Sequence, residues 1–328
     1  MLLYINKTQR TRTTPLFRYP SPSLQANLAL PSQNLHIFFA APRSSRRCHG
    51  NLGPALLQEL LDASLRITIL PRTGSAHKIP PSARTEKARA VEVDYSSHSS
   101  LVDALKTVDV LISTLGFTNL FETQRSLVDA CLDAQVSRFI PSEFGNDSAN
   151  SLVRKLPLFA DKIKTQEYLV AKAAQHLGFR YTMCCSNSFL DWQLEVGFMV
   201  KLKGHIATLY DGGDARLSAT RFPTIGKAVV GVINNLDATK NKHIYFHDVA
   251  VTLIQLIHIA EGIDGEEWQA EVIPTSQVEE NACELLSSGV PEDAAEASLG
   301  FIARACWGEG CGGTFPRRLT MSFSAFHK

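Results

Sequence analysis

From about residue 50 onward, two hydrophobic rhythms take turns along the chain. In GPALLQELLDA the apolar residues recur at helical spacing, with Pro54 at the first turn. RITIL, residues 66–70, is a short β-rich run followed by a polar loop with Gly74, Pro80 and Pro81. ARAVEVDY predicts a strand, SLVDALKTV a helix, and DVLISTLG a strand ending in glycine. TQRSLVDACLDAQ predicts another amphipathic helix and SRFIPSEFG a strand and loop. PLFADKIKTQEYLVAKAAQHLG predicts a long helix that stops at Gly178, and FRYTMCCSNSF a strand. Such regular alternation with short connections predicts an α/β, doubly wound fold, a parallel sheet covered on both faces.

After Phe189 the rhythm loosens. HIATLYDGGDARLSAT reads as a hairpin around Gly212 and Gly213, TIGKAVVGVINNL as a helix and NKHIYFHD as a strand, and these suit a smaller second lobe. One further helical segment follows Pro291. The ending GEGCGGTFPRRLTMSFSAFHK is glycine-rich and polar, and carries no structural assignment.

Composition narrows the picture. At 328 residues, 45% apolar and 20% charged, the chain can fill one large domain or two modest ones around a sizeable core. A formal charge of +1 gives no general electrostatic case for nucleic acid or an anionic membrane as partner, and leaves a small-molecule substrate. Cys48, Cys131, Cys184, Cys185, Cys283, Cys306 and Cys311 are odd in number and lack metal-ligand spacing. They suit packed thiols in a reducing compartment, and no metal site is expected. No apolar run reaches the ~18–20 residues of a membrane span, so a soluble, cytoplasmic protein is expected.

The first 58 residues hold Lys7, Arg10, Arg12, Arg18, Arg43, Arg46 and Arg47 but no Asp or Glu, the charge signature of a mitochondrial presequence. The rival reading is an extension that does not belong to the folded domain, from a reading frame that begins in the wrong place. Pro15, Pro20, Pro22 and Pro31 favour the extension, because they interrupt the amphipathic helix a presequence needs.

In a doubly wound sheet the ligand sits at the carboxyl ends of the strands, where the strand order reverses. The turn Gly50-Asn51-Leu52-Gly53 opens a helix whose N-terminal amides and dipole favour a phosphate. A lone GxxG matches many ordinary turns; its position strengthens it here, because the next strand ends in Pro71-Arg72-Thr73, where such folds select the adenosine ribose. An acid there binds the 2′-hydroxyl of NAD. Arg72 instead offers a charge-assisted fork for the 2′-phosphate of NADP, the alternative being a solvated surface arginine. Asp94, ending VEVD, is placed to accept from the adenine amino group, and Ser113, Thr114, Leu115 and Gly116 let backbone approach the cofactor closely.

Helical geometry separates two lysines. Lys162 shares a stripe with Leu158, Phe159, Gln166 and Leu169, whereas Lys164 lies among Asp161, Glu167 and Tyr168, where solvated ion pairs account for it. Desolvation lowers the pKa of a lysine and tunes it for proton transfer; the alternative for Lys162 is a stem that snorkels its ammonium to the surface. His205, His243 and His247 show no ligand spacing, and no GxSxG elbow is present.

GNLGPALL, VEVDYSS, DVLISTLG, RFIPSEFGND, PLFADKIKTQEYL, SNSF and LYDGGDARLSAT with TIGKAVV together resemble the NmrA-like and isoflavone reductase-like family, atypical short-chain dehydrogenases, from about Gly50 to Gly313. The last group is similar to the fungal members. The resemblance implies a Rossmann-type NADP(H) domain and a smaller C-terminal lobe that closes over a phenolic or related aromatic substrate. It implies that Lys162, in Phe159-Ala160-Asp161-Lys162, is catalytic, that Phe144, Asn187 and Phe189 lie beside the nicotinamide, and that Arg72 meets the 2′-phosphate. The expected organisation is a basic, poorly ordered extension over residues 1–34, an NADP-binding Rossmann domain over 35–185, a substrate lobe over 186–313 and an unassigned tail over 314–328.

One departure stands out. Arg47 occupies the place of the first glycine in the family's G-x-x-G-x-x-G turn, with Cys48 and His49 after it, and its side chain opposes both a positive φ and close backbone approach. LHIFFAA, the upstream strand candidate, is separated from Gly50 by PRSSRRCH, a long connection for such a turn. Three readings follow: an NADPH-dependent reductase of a small aromatic or carbonyl-conjugated substrate; an NADP-sensing regulator that acts on a protein partner without catalysis; or a cofactor-impaired variant whose first turn is disrupted.

Overall fold

The computed structural model describes residues 35–38, 52–79, 86–201 and 204–315. Strand and helix alternate first as β1 (Leu35–Phe38), α1 (Leu52–Asp62), β2 (Ile67–Ile69), β3 (Ala88–Ala90), α2 (His98–Leu105), β4 (Val110–Ser113), α3 (Leu120–Asp133), β5 (Arg138–Ile140), α4 (Ala160–Gln175) and β6 (Arg180–Cys185). There follow β7 (Ser188–Phe189), α5 (Leu190–Glu195), β8 (Val200–Lys201), β9 (Ile206–Tyr210), β10 (Leu217–Thr220), α6 (Phe222–Asn234), α7 (Leu236–Thr239) and β11 (Lys242–Tyr245). The described chain ends with β12 (Val249–Val251), α8 (Leu253–Asp264), β13 (Gln269–Ile273), α9 (Thr275–Ser287) and α10 (Pro291–Trp307).

The main sheet runs β11-β6-β5-β4-β1-β2-β3, every pairing parallel. The order reverses at β1, which pairs with β2 on one side and β4 on the other, with Phe38 opposite Ser113. The expected doubly wound fold is the one observed, and Leu35–Phe38, the first part of LHIFFAA, supplies its central strand. Period-two side chains divide the core between the two faces. Ile67, Ile69, Val110, Ile112, Ile140 and Cys184 pack with Leu56, Leu60, Ile225 and Val229 of α1 and α6. The intervening Leu111, Phe139, Tyr181 and Met183 pack with Leu101, Leu127, Val128 and Leu169 of α2, α3 and α4.

Two expectations about the second half are corrected. HIATLYDGGDARLSAT does not form a hairpin: β9 joins a sheet with β13 and β8, and β10 joins a different one with β12 and β7. The carboxylate of Asp211 turns the chain away by accepting from the Thr275 amide at 2.7 Å, at the start of α9, while the Asp211 amide donates to the Ile273 carbonyl at 3.1 Å. NKHIYFHD and the TIGKAVV helix belong to the main body rather than to a second lobe. β11 extends the parallel sheet beside β6, and α6 lies on α1, where an added Cβ at Gly226 would stand 2.6 Å from Glu59 Cγ. The close approach needs glycine there.

The unassigned ending also acquires a place as far as Phe315. The Ser218 amide of β10 donates to the Gly313 carbonyl at 2.7 Å, and the Phe315 ring lies edge-on to Tyr245, centroids 5.0 Å apart. Residues 1–34 and 316–328, together with Arg47, Cys48, His49, Gly50 and Asn51, lie outside the described residues.

Candidate active site

The reversal at β1 directs attention to the loops that leave β4, β5 and β6. Ser113 ends β4 fully buried, and its hydroxyl has no hydrogen-bond partner among the described residues. Thr114 is half-buried and Leu115 buried; an added Cβ on Gly116 would meet nothing within 4 Å, so the loop presents bare backbone to open space. Phe117 follows with its ring exposed.

One buried glutamine aligns these loops. Gln124 on α3 accepts from the Ser142 amide at 2.8 Å and donates to Thr165 Oγ1 on α4 at 3.3 Å, while Ser142 Oγ donates to the Leu115 carbonyl at 2.6 Å. The ends of β4 and β5 and the first turns of α4 are thus held as one unit. Asp161 strengthens the joint by accepting from the Phe121 amide at 3.2 Å.

Lys162 sits in the first turn of α4 on the buried stripe with Thr165, Gln166 and Leu169, only 4% exposed. It does not snorkel: Nζ donates to the Phe144 carbonyl at 3.3 Å and lies over the Phe117 and Phe159 rings, 5.5 and 6.0 Å from their centroids. Burial holds the amine below the usual lysine range, against the upward pull of the neighbouring Glu143 carboxylate. Lys164 pairs in the open with Asp161 at 3.5 Å, as its helical position predicts.

The remaining predicted residues that are described fall at the start of α1 or beyond strand ends. Leu52 and Gly53 are buried at the start of α1. Arg72 forms a parallel bridge with Val93 just beyond β2, its guanidinium 5.4 Å from the Tyr95 ring centroid, and it makes no ion pair among the described residues. Asp94 is exposed. Its Oδ1 accepts from Ser96 Oγ at 2.6 Å and from the Ser96 amide at 2.9 Å, bonds that hold its carboxyl below the usual range.

Asn187 and Phe189 follow β6. Asn187 is buried at φ +52°, with its amide nitrogen donating to the Gly145 carbonyl at 2.8 Å. Its side chain is engaged internally: Oδ1 accepts from Asn146 Nδ2 at 3.0 Å and Nδ2 donates to the Gly313 carbonyl at 2.6 Å. Phe189 packs on Phe222, centroids 5.3 Å apart.

Sequence reasoning missed Gln124, Glu143 and the Gly313 carbonyl. Their common signal is a polar group drawn into the core by partners far along the chain, which local periodicity does not register. A separate cavity of about 620 Å³, lined by Asp211, Asp214, Thr275, Arg304, Trp307 and others, shares no residue with the surroundings of Lys162.

A parallel sheet of this order, reversing at β1, defines a Rossmann-type fold. The NmrA-like family matches residues 48–300, and the chain belongs to that family. Oxidoreductase aprR of Aspergillus flavus is 32% identical over 243 residues, 73% of this chain and 80% of that protein. Phenylcoumaran benzylic ether reductase PT1 of Pinus taeda is 30% identical over 220 residues, 62% of this chain and 68% of that one. Among solved structures, AtPrR2 with NADP+ and (+)pinoresinol superimposes with a TM-score of 0.69 at 21% identity, covering 86% of this chain and 90% of that one. Leucoanthocyanidin reductase of Vitis vinifera in its binary complex with NADPH gives 0.68 at 18% identity, covering 89% and 94%. The chain is an oxidoreductase of the NmrA-like family. No helix among the described residues is long and apolar enough to cross a membrane.

Proposed function

We propose that the chain is an NADPH-dependent reductase of a small aromatic, phenylpropanoid-like or carbonyl-conjugated substrate, with Lys162 as its catalytic residue. The observation that carries this reading is the buried amine of Lys162, held against the loop that leaves β5 at the carboxyl side of the parallel sheet. A lysine kept from solvent, with its pKa lowered, is suited to proton transfer near neutral pH.

The residues present fit NADP(H). The Ser113 hydroxyl, which has no hydrogen-bond partner among the described residues, and the open backbone at Gly116 lie beside the sheet's reversal point, and Arg72 makes no ion pair among the described residues that would compete for a phosphate. In this reading Gly50, Asn51, Leu52 and Gly53 hold the pyrophosphate, Arg72 the 2′-phosphate and Asp94 the adenine amino group. Ser113 to Gly116 border the cofactor, and Phe144, Asn187 and Phe189 flank the nicotinamide. NADPH supplies the hydride when bound. Lys162 binds the nicotinamide ribose and, directly or through water, moves the proton that accompanies reduction. The substrate is a small molecule, and no nucleic-acid, membrane or metal partner enters the reading.

Two measurements test it. NADPH at millimolar concentration raises the melting temperature and quenches tryptophan fluorescence, and NADPH is then consumed with at least one member of a panel of phenylpropanoid ethers and conjugated carbonyls. The absence of any thermal shift would falsify the reading. Binding without consumption across the panel, together with a protein pulldown that differs between NADPH and NADP+, would replace it with a dinucleotide-sensing regulator.

A further inference from the structure

Glu143 lies one residue before the carbonyl that accepts from Lys162, and its side chain is completely buried. Lys162 and Gln166 stand one turn apart on the same face of α4, and together they grip this short piece of chain. Lys162 Nζ reaches the Phe144 carbonyl, and Gln166 Nε2 donates to Glu143 Oε2 at 3.1 Å. Ser148 Oγ donates to the same oxygen at 2.6 Å, while Oε1 has no hydrogen-bond partner among the described residues. Gly145 completes the arrangement at φ +132°. That backbone conformation favours glycine, whereas an added Cβ would itself make only an ordinary contact with Lys162 Nζ at 3.6 Å.

A glutamine at position 143 could accept the same two bonds without the cost of burying a charge. An acid in that place therefore needs a use for its charge. Among the described residues the buried cation next to it is Lys162, one turn before Gln166 on α4, which it meets through space rather than in an ion pair. We propose that Glu143 is a positioning residue: braced by Ser148 and Gln166, its carboxylate keeps Lys162 in the ammonium form and holds it against the loop that leaves β5. This rests on the reading of Lys162 as the proton-transfer group.

The electrostatic surroundings agree with the geometry. Burial pushes the Glu143 carboxyl up, against the opposing effects of Lys162 and of the bonds from Ser148 and Gln166; Asp147 adds a further upward push. On the other side Lys162 faces Cys185 at the end of β6, whose thiol burial pushes far up and so keeps neutral. The Phe117 ring faces it from the loop after β4. Glu143 is thus the group whose charge supports the ammonium against desolvation, and removing it leaves burial unopposed.

The test is a nuclear magnetic resonance titration of the full chain grown on lysine isotopically labelled at Cε, with the Lys162 signal assigned by its loss in Lys162→Arg. In Glu143→Gln the Lys162 midpoint moves to lower pH. In Ser148→Ala, which loosens the carboxylate and favours its protonation, it moves in the same direction by less. Midpoints equal to wild type in the folded variants overturn the proposal; if Glu143→Gln does not fold, an unshifted Ser148→Ala overturns it alone. The titration needs neither cofactor nor substrate, so it is independent of the reductase reading. A wild type that consumes no NADPH refutes that reading while a shifted midpoint sustains the pairing. In the pH profile of NADPH consumption, the basic limb of Glu143→Gln shifts to lower pH, a change that loss of packing alone does not produce.

Discussion

Replacing Lys162 and Glu143 together by Met and Gln should make the protein more stable and inactive. Among the described residues the ammonium uses one of its three donors, at 3.3 Å, and the carboxylate leaves one oxygen unpartnered, so neither buried ion recovers much of its hydration there. A charged hydrogen bond is worth about 1.5–3 kcal/mol, and that is the loss on removing Lys162. Against it stands the relief of two buried charges, each carrying a penalty of several kcal/mol that their mutual attraction only partly offsets. Neutral replacements of such pairs are typically neutral or stabilising by about 1–4 kcal/mol. The amide introduced by Glu143→Gln still accepts from Ser148 and Gln166 but buries an unpaired NH2 group, which sets the expected gain at about 1–2 kcal/mol. Urea denaturation near neutral pH measures it, provided the two proteins share an m-value. A double variant less stable than wild type by about 2 kcal/mol or more would show that the pair holds the fold together, and would refute the argument that it is kept for chemistry.

Other expectations test the surrounding framework. Arg72→Glu should weaken NADPH binding by roughly 10–100-fold while affecting NADH much less, measured by fluorescence quenching; equal losses for both would remove the 2′-phosphate from Arg72. Gly226→Val should cost about 1–3 kcal/mol by forcing α1 and α6 apart, read as a lowered urea midpoint. Burial holds the His243 imidazole below its ordinary value, and its Nε2 finds no partner among the described residues. The unfolded chain therefore takes up this proton first, so the stability His243 contributes above about pH 6.5 is lost as pH falls toward its folded value. His243→Gln should flatten that acid slope in a series of melts, and an unchanged slope would exclude His243 as its source.

The alternation of strand and helix was legible because each element carries its own period: Val110-Leu111-Ile112 sends side chains to both faces of the sheet, and α4 keeps Lys162, Thr165, Gln166 and Leu169 on one buried stripe. What failed was pairing over distance. Gly212-Gly213 is a valid turn signal, but β9 finds its parallel partner in β13, far along the chain. β11 carries nothing in its own sequence to say that it extends β6 rather than a second lobe. Lys162 could be chosen by helical face alone, whereas Glu143 stood unnoticed inside PSEFG, because burial of a charge is decided by Ser148, Gln166 and Lys162 together. Asn187, read within the strand FRYTMCCSNSF, instead lies between β6 and β7, and its tie to Gly313 depends on a segment whose composition gave no structural signal.

The central claim is that this chain reduces a substrate with NADPH and that Lys162 moves the proton. The direct test mixes wild type or Lys162→Ala with NADPH and the substrate panel, following cofactor binding and consumption in the same samples. The account predicts that both proteins bind NADPH with similar affinity, that wild type consumes it and forms a product two hydrogens heavier, and that the variant consumes essentially none. Consumption by Lys162→Ala at the wild-type rate, or a wild type that leaves NADPH unbound, would contradict it.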